Sequence, residues 1–116
     1  MVQRALSAIL KTLRIDRGDE RVRCLRCGAD LGDPETRRGA GLERFTNPDG
    51  CVFELIRFDE LERVTLCGGY YSEASFYPGY AWASSQCGSC GYFIGWHFRG
   101  ESDGFFGVTT DAVDIY

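Results

Sequence analysis

The pattern Cys-x-x-Cys-Gly occurs twice in this chain, as Cys24-Leu25-Arg26-Cys27-Gly28 and as Cys87-Gly88-Ser89-Cys90-Gly91. Two residues between the cysteines let both sulfurs reach one tetrahedral ion at about 2.3 Å. Glycine after the second cysteine permits the tight turn with positive φ that this geometry needs. We therefore predict one structural Zn²⁺, held by Cys24, Cys27, Cys87 and Cys90. Four sulfurs leave no coordination position for a substrate.

The two pairs are separated by 59 residues, far more than the ~15–20 residues of a simple zinc ribbon. The ion is therefore expected to tie together the two ends of a larger domain. Two alternatives remain for the cysteines. A disulfide framework is disfavoured because the N-terminal apolar stretch, interrupted by Lys11 and Arg14, is a poor secretory signal. A thioredoxin-like redox pair should open a helix, whereas residues 92–98 are typical of a strand.

Composition narrows the class of protein. The chain has 116 residues, of which 44% are hydrophobic and 26% charged, as expected for one globular domain. No apolar run approaches the ~20 residues of a membrane helix, so we expect no membrane association. The net charge is −4, with residues 1–26 at +4 and the rest at −8. Because phosphate neutralisation drives most nucleic-acid binding, this acidic body argues against a nucleic-acid partner.

Hydrophobic spacing predicts a mainly β domain with little helix. Apolar residues at helical intervals indicate a short helix at 2–13, so we divide the chain into a helix and linker at 1–20 and a β domain at 21–116. The turn signal Asn47-Pro48-Asp49-Gly50 predicts a hairpin over 42–58. Further strands are expected at 63–67, 81–86, 92–98 and 105–110, with loops at 14–23 and 28–41. Short strands of this kind favour an antiparallel arrangement.

Three other reactive side chains have simple interpretations. Cys51 and Cys67 are expected to be buried and to behave as small hydrophobes. As free thiols they are typical of a reducing cytoplasm, where we place the protein. His97, the single histidine, is predicted to be solvated and to face away from the aromatic residues described next.

Aromatic residues make up 14% of the chain and converge in the predicted fold. The Pro78-Gly79 turn can bring Phe76 near Trp82, and Trp96 can complete an open box that suits a flat ligand or a methylated ammonium. Strand alternation places Ile94, Trp96 and Phe98 on one face and Phe93 and His97 on the other. The alternative is that these rings are ordinary core.

The motifs together resemble a known family. The string Phe76-Tyr77-Pro78-Gly79-Tyr80-Ala81-Trp82, followed by the second cysteine pair and by Ile94-Gly95-Trp96-His97-Phe98, is similar to the thalidomide-binding (CULT) domain of the cereblon family and its single-domain bacterial members. The hairpin Asn47-Pro48-Asp49-Gly50, the first cysteine pair and Phe105-Phe106-Gly107-Val108 also match. The resemblance covers roughly residues 24–112.

This resemblance implies a β-tent, in which a zinc ion pins two antiparallel sheets, and a pocket for a small molecule rather than an enzyme. The implied ligand is a neutral cyclic imide, as in glutarimide or thalidomide, or a pyrimidine such as uracil or uridine. A cyclic imide at the C-terminus of a protein is also implied. The implied ligand-binding residues are Asn47, Pro48, Phe53, Glu73, Ala74, Ser75, Phe76, Trp82, Trp96 and Phe98. Phe76 departs from the family, which has a third tryptophan there, and Ala74 replaces a residue that is often histidine or aromatic.

Two other functions are compatible with parts of the sequence. Zinc-containing methionine sulfoxide reductases of the B type have a similar fold, but they need a nucleophilic cysteine on a late strand. No cysteine follows Cys90 in this chain, which disfavours that enzyme. A protein-interaction or RNA-end-binding module is the other alternative, and the acidic body disfavours RNA.

Overall fold

The computed structural model describes residues 19–116 of the chain, which fold into two antiparallel sheets. The small sheet has the order β2-β1-β9, and the large sheet has the order β3-β4-β8-β7-β6-β5. The strands are β1 (Val22–Cys24), β2 (Asp30–Gly32), β3 (Glu43–Thr46), β4 (Val52–Phe58), β5 (Val64–Tyr71), β6 (Ala81–Cys87), β7 (Phe93–Arg99), β8 (Gly104–Thr109) and β9 (Val113–Ile115). One 3₁₀ turn lies at Pro34–Thr36. The predicted mainly β, antiparallel fold is confirmed, whereas the predicted helix at 2–13 lies outside the described residues.

Each strand predicted for the large sheet is present. The hairpin over 42–58 is confirmed as β3 and β4, which pair from Glu43 with Leu55 to Thr46 with Val52. The small sheet was missed, because residues 14–23 and 28–41 were predicted as loops. Its strands have three residues each, which is too short for hydrophobic periodicity. They form because β1 pairs with β9 at the far end of the sequence.

The large sheet is packed on both faces. On one face, residues such as Ile56, Phe58 and Ile94 join Val22 and Leu31 of the small sheet in a single buried cluster. On the other face, Leu55, Phe98 and Phe105 are buried beneath the loop at 72–80 and its aromatic side chains. The first cluster holds the two sheets together, and the second supports the candidate site. Within residues 19–116, no helix is long and apolar enough to cross a membrane.

A β-bulge in β7 corrects the predicted facing of its side chains. The pairing of β6 with β7 skips Ile94, so Ile94 is fully buried between the sheets. Phe93 instead packs edge-on against Trp96, with ring centroids 5.2 Å apart. The prediction that Ile94 shares a face with Trp96 was therefore wrong. The cause is Gly95, whose φ of +142° is one that residues with a Cβ rarely adopt.

The predictions for the remaining cysteines and the histidine also need correction. Cys51 is exposed and Cys67 partly exposed, because Cys51 follows the hairpin turn and Cys67 lies on the edge strand β5. His97 does lie on the face opposite Trp96, but it is half-buried rather than freely solvated. Its Nδ1 is 2.8 Å from the Tyr70 hydroxyl, and its ring packs on Phe106. Burial lowers the pKa of His97, which favours a neutral imidazole.

Candidate functional site

The four predicted metal ligands form one cluster. All four sulfurs lie within 4.8 Å of one another, and the Sγ–Sγ distances Cys24–Cys90 and Cys27–Cys87 are both 3.7 Å. A tetrahedral ion bound at about 2.3 Å places its sulfurs about 3.8 Å apart. The cysteines are free rather than disulfide-bonded. Their spacing therefore fits a closed, tetrahedral metal site.

The two cysteine pairs adopt the same local backbone. Gly28 N–H donates to the Cys24 carbonyl and Gly91 N–H to the Cys87 carbonyl, both at 2.8 Å. The glycines have φ angles of +77° and +78°, in the left-handed region that side chains disfavour. The first pair follows β1 of the small sheet, and the second joins β6 to β7 of the large sheet. The cluster thus links the two sheets at one end.

The thiols of the cluster lie in unequal environments. Burial raises the pKa of Cys24 to about 12, so an uncompensated thiolate is unfavourable there. A hydrogen bond from the Ala29 N–H lowers the pKa of Cys27 to about 7. A bound cation would supply the compensating charge, because cysteine coordinates metals as the thiolate. The donor set is therefore suited to a metal ion that prefers sulfur.

A pocket of about 340 Å³ opens on the other face of the large sheet. It is formed by the β3–β4 turn, the loop at 72–80 and strands β6 and β7. Its walls are Asn47, Pro48, Asp49, Glu73, Ala74, Phe76, Trp82, Trp96 and Phe98. Eight of the ten predicted ligand-binding residues are among them. Asp49 was missed, because within Asn-Pro-Asp-Gly an aspartate is typical of the turn itself.

The other two predicted residues lie beside the pocket. Phe53 contacts Trp96 from behind, with centroids 5.0 Å apart at 89°, and so supports the wall without lining it. The Ser75 hydroxyl donates to the Tyr77 carbonyl and accepts the Tyr77 N–H. It thereby shapes the loop and lines a neighbouring groove instead.

Packing fixes the orientation of the aromatic walls. Phe76 stacks on Phe45 at 4.8 Å and 10°, and it meets Trp96 nearly perpendicularly, at 5.3 Å and 84°. The Trp82 indole N–H donates to the Glu73 carbonyl at 2.7 Å. This bond ties the loop at 72–80 to β6. The rings of Phe76, Trp82 and Trp96 therefore line one accessible space.

The rim offers polar groups of two kinds. Asn47 Oδ1 accepts the N–H groups of Asp49 and Cys51, at 3.0 and 2.8 Å, which closes the hairpin turn. Among residues 19–116, the backbone N–H and C=O groups of Ala74 and Phe76 have no hydrogen-bond partner in the protein. Ala74 is also one of two described non-glycine residues with positive φ, at +58°. This segment therefore presents unpaired backbone groups at the pocket edge.

The rim is also acidic. Asp49 and Glu73 line the pocket, and neither carboxylate has an ion-pair partner among the described residues. Among residues 19–116, no arginine or lysine lines the pocket. An anionic ring would meet unfavourable charge here, whereas a neutral one would not.

Fold and site together define a mainly β domain with a tetracysteine cluster at one end and an aromatic pocket on one face. No model of a known protein family matches the chain. Protein cereblon of Gallus gallus and of Xenopus tropicalis are each 32% identical to it over 77 residues, covering 62% of this chain and 17% of the relative. Protein cereblon of Danio rerio is 31% identical, over 62% of this chain and 18% of that protein.

These partial matches support the cereblon-like (CULT) domain that the sequence motifs predicted. The chain spans less than a fifth of the length of the curated relatives it matches. The similarity thus concerns one domain of those proteins.

Proposed function

We propose that this domain is a zinc-stabilised binding module for a neutral cyclic imide or a pyrimidine such as uracil or uridine. The observation that carries the proposal is the aromatic pocket, walled by Phe76, Trp82 and Trp96, with unpaired backbone groups at its edge. A cyclic imide has two apolar faces and one edge bearing C=O, N–H and C=O. The faces suit the aromatic walls, and the edge suits the backbone of Ala74 and Phe76.

Charge supports a neutral ring. Asp49 and Glu73 disfavour carboxylates and phosphates inside the pocket, because both side chains are acidic and unpaired. The ligand is either a free small molecule or a cyclic imide at the C-terminus of a protein, since both present the same ring.

The metal is proposed to be zinc. Four thiolates in tetrahedral spacing favour Zn²⁺ among common divalent ions, because softer sulfur ligands select it over Mg²⁺ or Ca²⁺. The role of Cys24, Cys27, Cys87 and Cys90 is structural. The cytoplasmic location is proposed on the same chemistry, because a reducing compartment keeps the exposed Cys51 as a free thiol.

The proposed function is one of binding without turnover. Among the described lining residues of the pocket there is no cysteine, histidine, lysine, serine or threonine, and the ionisable side chains are the carboxylates of Asp49 and Glu73. A reductase of the methionine sulfoxide type needs a thiolate beside its substrate, and none of these lining residues supplies one.

Intrinsic fluorescence tests the proposal, since Trp82 and Trp96 are the two tryptophans of the chain and both line the pocket. Thalidomide or uridine should quench the emission at concentrations of roughly micromolar to millimolar. Trp96→Ala should abolish binding of either compound while one zinc per chain is retained. Phe93→Leu is the matched control, because that ring touches Trp96 but does not line the pocket. Unchanged fluorescence together with an unchanged melting temperature would contradict the proposal.

A further inference from the structure

A second groove of about 540 Å³ adjoins the aromatic pocket. Its lining includes Ser72, Ser75, Tyr80 and Arg99, and it shares one wall residue, Ala74, with the pocket. Ala74 carries a single methyl group, so little side-chain bulk separates the two cavities at this point. A substituent on a ring in the pocket would therefore have to pass this residue to reach the groove.

Arg99 is the one charged residue that lines the groove among the described residues. Its guanidinium carbon lies 3.8 Å from the centroid of the Tyr70 ring, and the Tyr70 hydroxyl is held by His97 at 2.8 Å. Stacking of this kind orients a guanidinium without using its N–H groups. Within residues 19–116, Arg99 has no side-chain hydrogen bond and no ion pair. Its side-chain donors therefore have no partner among the described residues.

The carboxylate of Asp103, which is hydrogen-bonded to the groove residue Tyr80, already has a cationic partner. The Tyr80 hydroxyl donates to Asp103 at 2.8 Å, and Asp103 is paired with Arg38 at 2.9 Å. Asp49 at the hairpin turn and Glu73, which directly precedes Ala74 in the loop at 72–80, both line the pocket and are unpaired. A ligand substituent that leaves past the hairpin turn meets Asp49, whereas one that passes Ala74 also reaches Arg99.

We propose that this groove is a second subsite, which takes an anionic substituent, a carboxylate or a phosphate, carried by the ring in the aromatic pocket. Arg99 binds the anion, the hydroxyls of Ser72 and Tyr80 lie in the same groove, and Ala74 leaves the path between the cavities open. The inference rests on the proposed function and specifies its ligand class further: a neutral ring with an anionic arm.

Matched ligands test the subsite. The parent glutarimide is compared with three 3-acylamino derivatives of similar length: butyryl (neutral), succinyl (carboxylate) and 4-aminobutyryl (ammonium). Affinities are measured by tryptophan fluorescence at low salt. The succinyl compound should bind about two- to fivefold more tightly than the butyryl compound, as expected for an exposed ion pair. That preference should shrink in about 0.5 M NaCl. Comparing uridine with its 5′-monophosphate tests phosphate as the anion.

Two variants separate Arg99 from general charge effects. Arg99→Gln should remove the preference for the succinyl compound without weakening the parent glutarimide. Arg26→Gln is the control, since Arg26 also stacks on a tyrosine, Tyr92 at 5.3 Å, but lines neither cavity. It should retain the preference. In Ala74→Leu the ratio of succinyl to butyryl affinity should fall towards one, because the path is narrowed.

Each result decides the inference. Equal binding of the three derivatives, or tightest binding of the ammonium compound, would overturn the subsite while leaving the aromatic pocket as the ring site. A preference that survives Arg99→Gln would overturn the assignment to Arg99. If neither the parent glutarimide nor uridine binds, the proposed function fails, and the subsite fails with it.

Discussion

Gly95 is the residue on which the geometry of the pocket depends most directly. Its backbone forms the bulge that turns Phe93 and Trp96 to the same face of β7. A Cβ at this position would overlap the carbonyl oxygen of Gly107 and lie 2.8 Å from the Cα of Val108. Both are backbone atoms of the neighbouring strand β8, so neither can move without displacing the sheet. We therefore expect Gly95→Ala to destabilise the domain and to distort the pocket.

The magnitude follows from two costs. The φ of +142° is strained for alanine by about 1–3 kcal/mol. Forcing a methyl group into a packed site adds about 1–3 kcal/mol. The sum is about 2–6 kcal/mol, a large fraction of the roughly 5–15 kcal/mol that stabilises a typical domain. With a mid-range m-value of about 2 kcal/mol per molar urea, the unfolding midpoint should fall by roughly 1–3 M.

The assay is urea unfolding of the metal-loaded protein, followed by tryptophan emission. Gly68→Ala is the matched control, because Gly68 also has positive φ, at +74°, but no neighbouring atom lies within 4 Å of the point that a Cβ would occupy there. It should cost only the conformational strain, about 1–2 kcal/mol. If Gly95→Ala shifts the midpoint no further than Gly68→Ala, then β8 does not restrict this site, and the steric reasoning is wrong.

Three further outcomes are expected. Cys24→Ser should lower the zinc content below one per chain and unfold the domain, which circular dichroism would detect. The reason is that the binding free energy of a structural zinc site, roughly 10–16 kcal/mol, is comparable to the total stability of a domain. A variant that retained both zinc and fold would contradict this. Trp82→Phe removes the 2.7 Å bond from the indole to a loop carbonyl, and should lower the unfolding free energy by about 0.5–1.5 kcal/mol, with an unchanged urea midpoint as the opposing result. Burial, aided by a neighbouring carboxylate, raises the pKa of Tyr77, so the stability linked to its neutral form is complete below about pH 10 and lost above it. Between about pH 9 and 11 the melting temperature should therefore fall more in the wild type than in Tyr77→Phe.

Short sequence motifs, in which the spacing of a few residues determines the local backbone, explain why part of this structure was predictable. The Cys-x-x-Cys-Gly pattern restricts the backbone so strongly that both cysteine-pair turns could be placed from the sequence. The β3–β4 hairpin was predictable for the same reason, since Asn47 and Gly50 are suited to one type of turn. The pocket residues came from the family resemblance, because no periodicity brings the hairpin, the loop at 72–80 and β7 together.

Features that depend on distant pairing were not predictable. β1 and β9 are three residues each and exist only because residues at opposite ends of the domain meet, with Arg21 N–H donating to the Tyr116 carbonyl at 3.0 Å. The prediction from strand alternation was wrong at Ile94, because the bulge adds one residue to β7. One extra residue reverses the facing of the side chains beyond it. The exposure of Cys51 depends on the turn that Asn47 closes, which its hydrophobic character does not reveal.

The metal cluster and the pocket are mechanically joined, although they lie at different places in the fold. The second cysteine pair is the turn between β6 and β7, and these two strands carry both tryptophans. In that hairpin Trp82 lies opposite Phe98 and Trp96 lies opposite Ser84. The pairing register of β6 and β7 sets the distance between the two indoles. This register is fixed at one end by the second cysteine pair and within β7 by the bulge at Gly95.

Under the proposed function, metal and ligand binding would be linked through folding. A ligand that binds only the folded domain stabilises it by RT ln(1 + [L]/Kd), and so opposes release of the metal. By the same linkage, the metal raises the apparent affinity of the pocket by maintaining the hairpin that forms it. Under the proposed function, zinc would thus contribute to recognition without contacting the ligand, because it would hold the two strands that carry the aromatic walls.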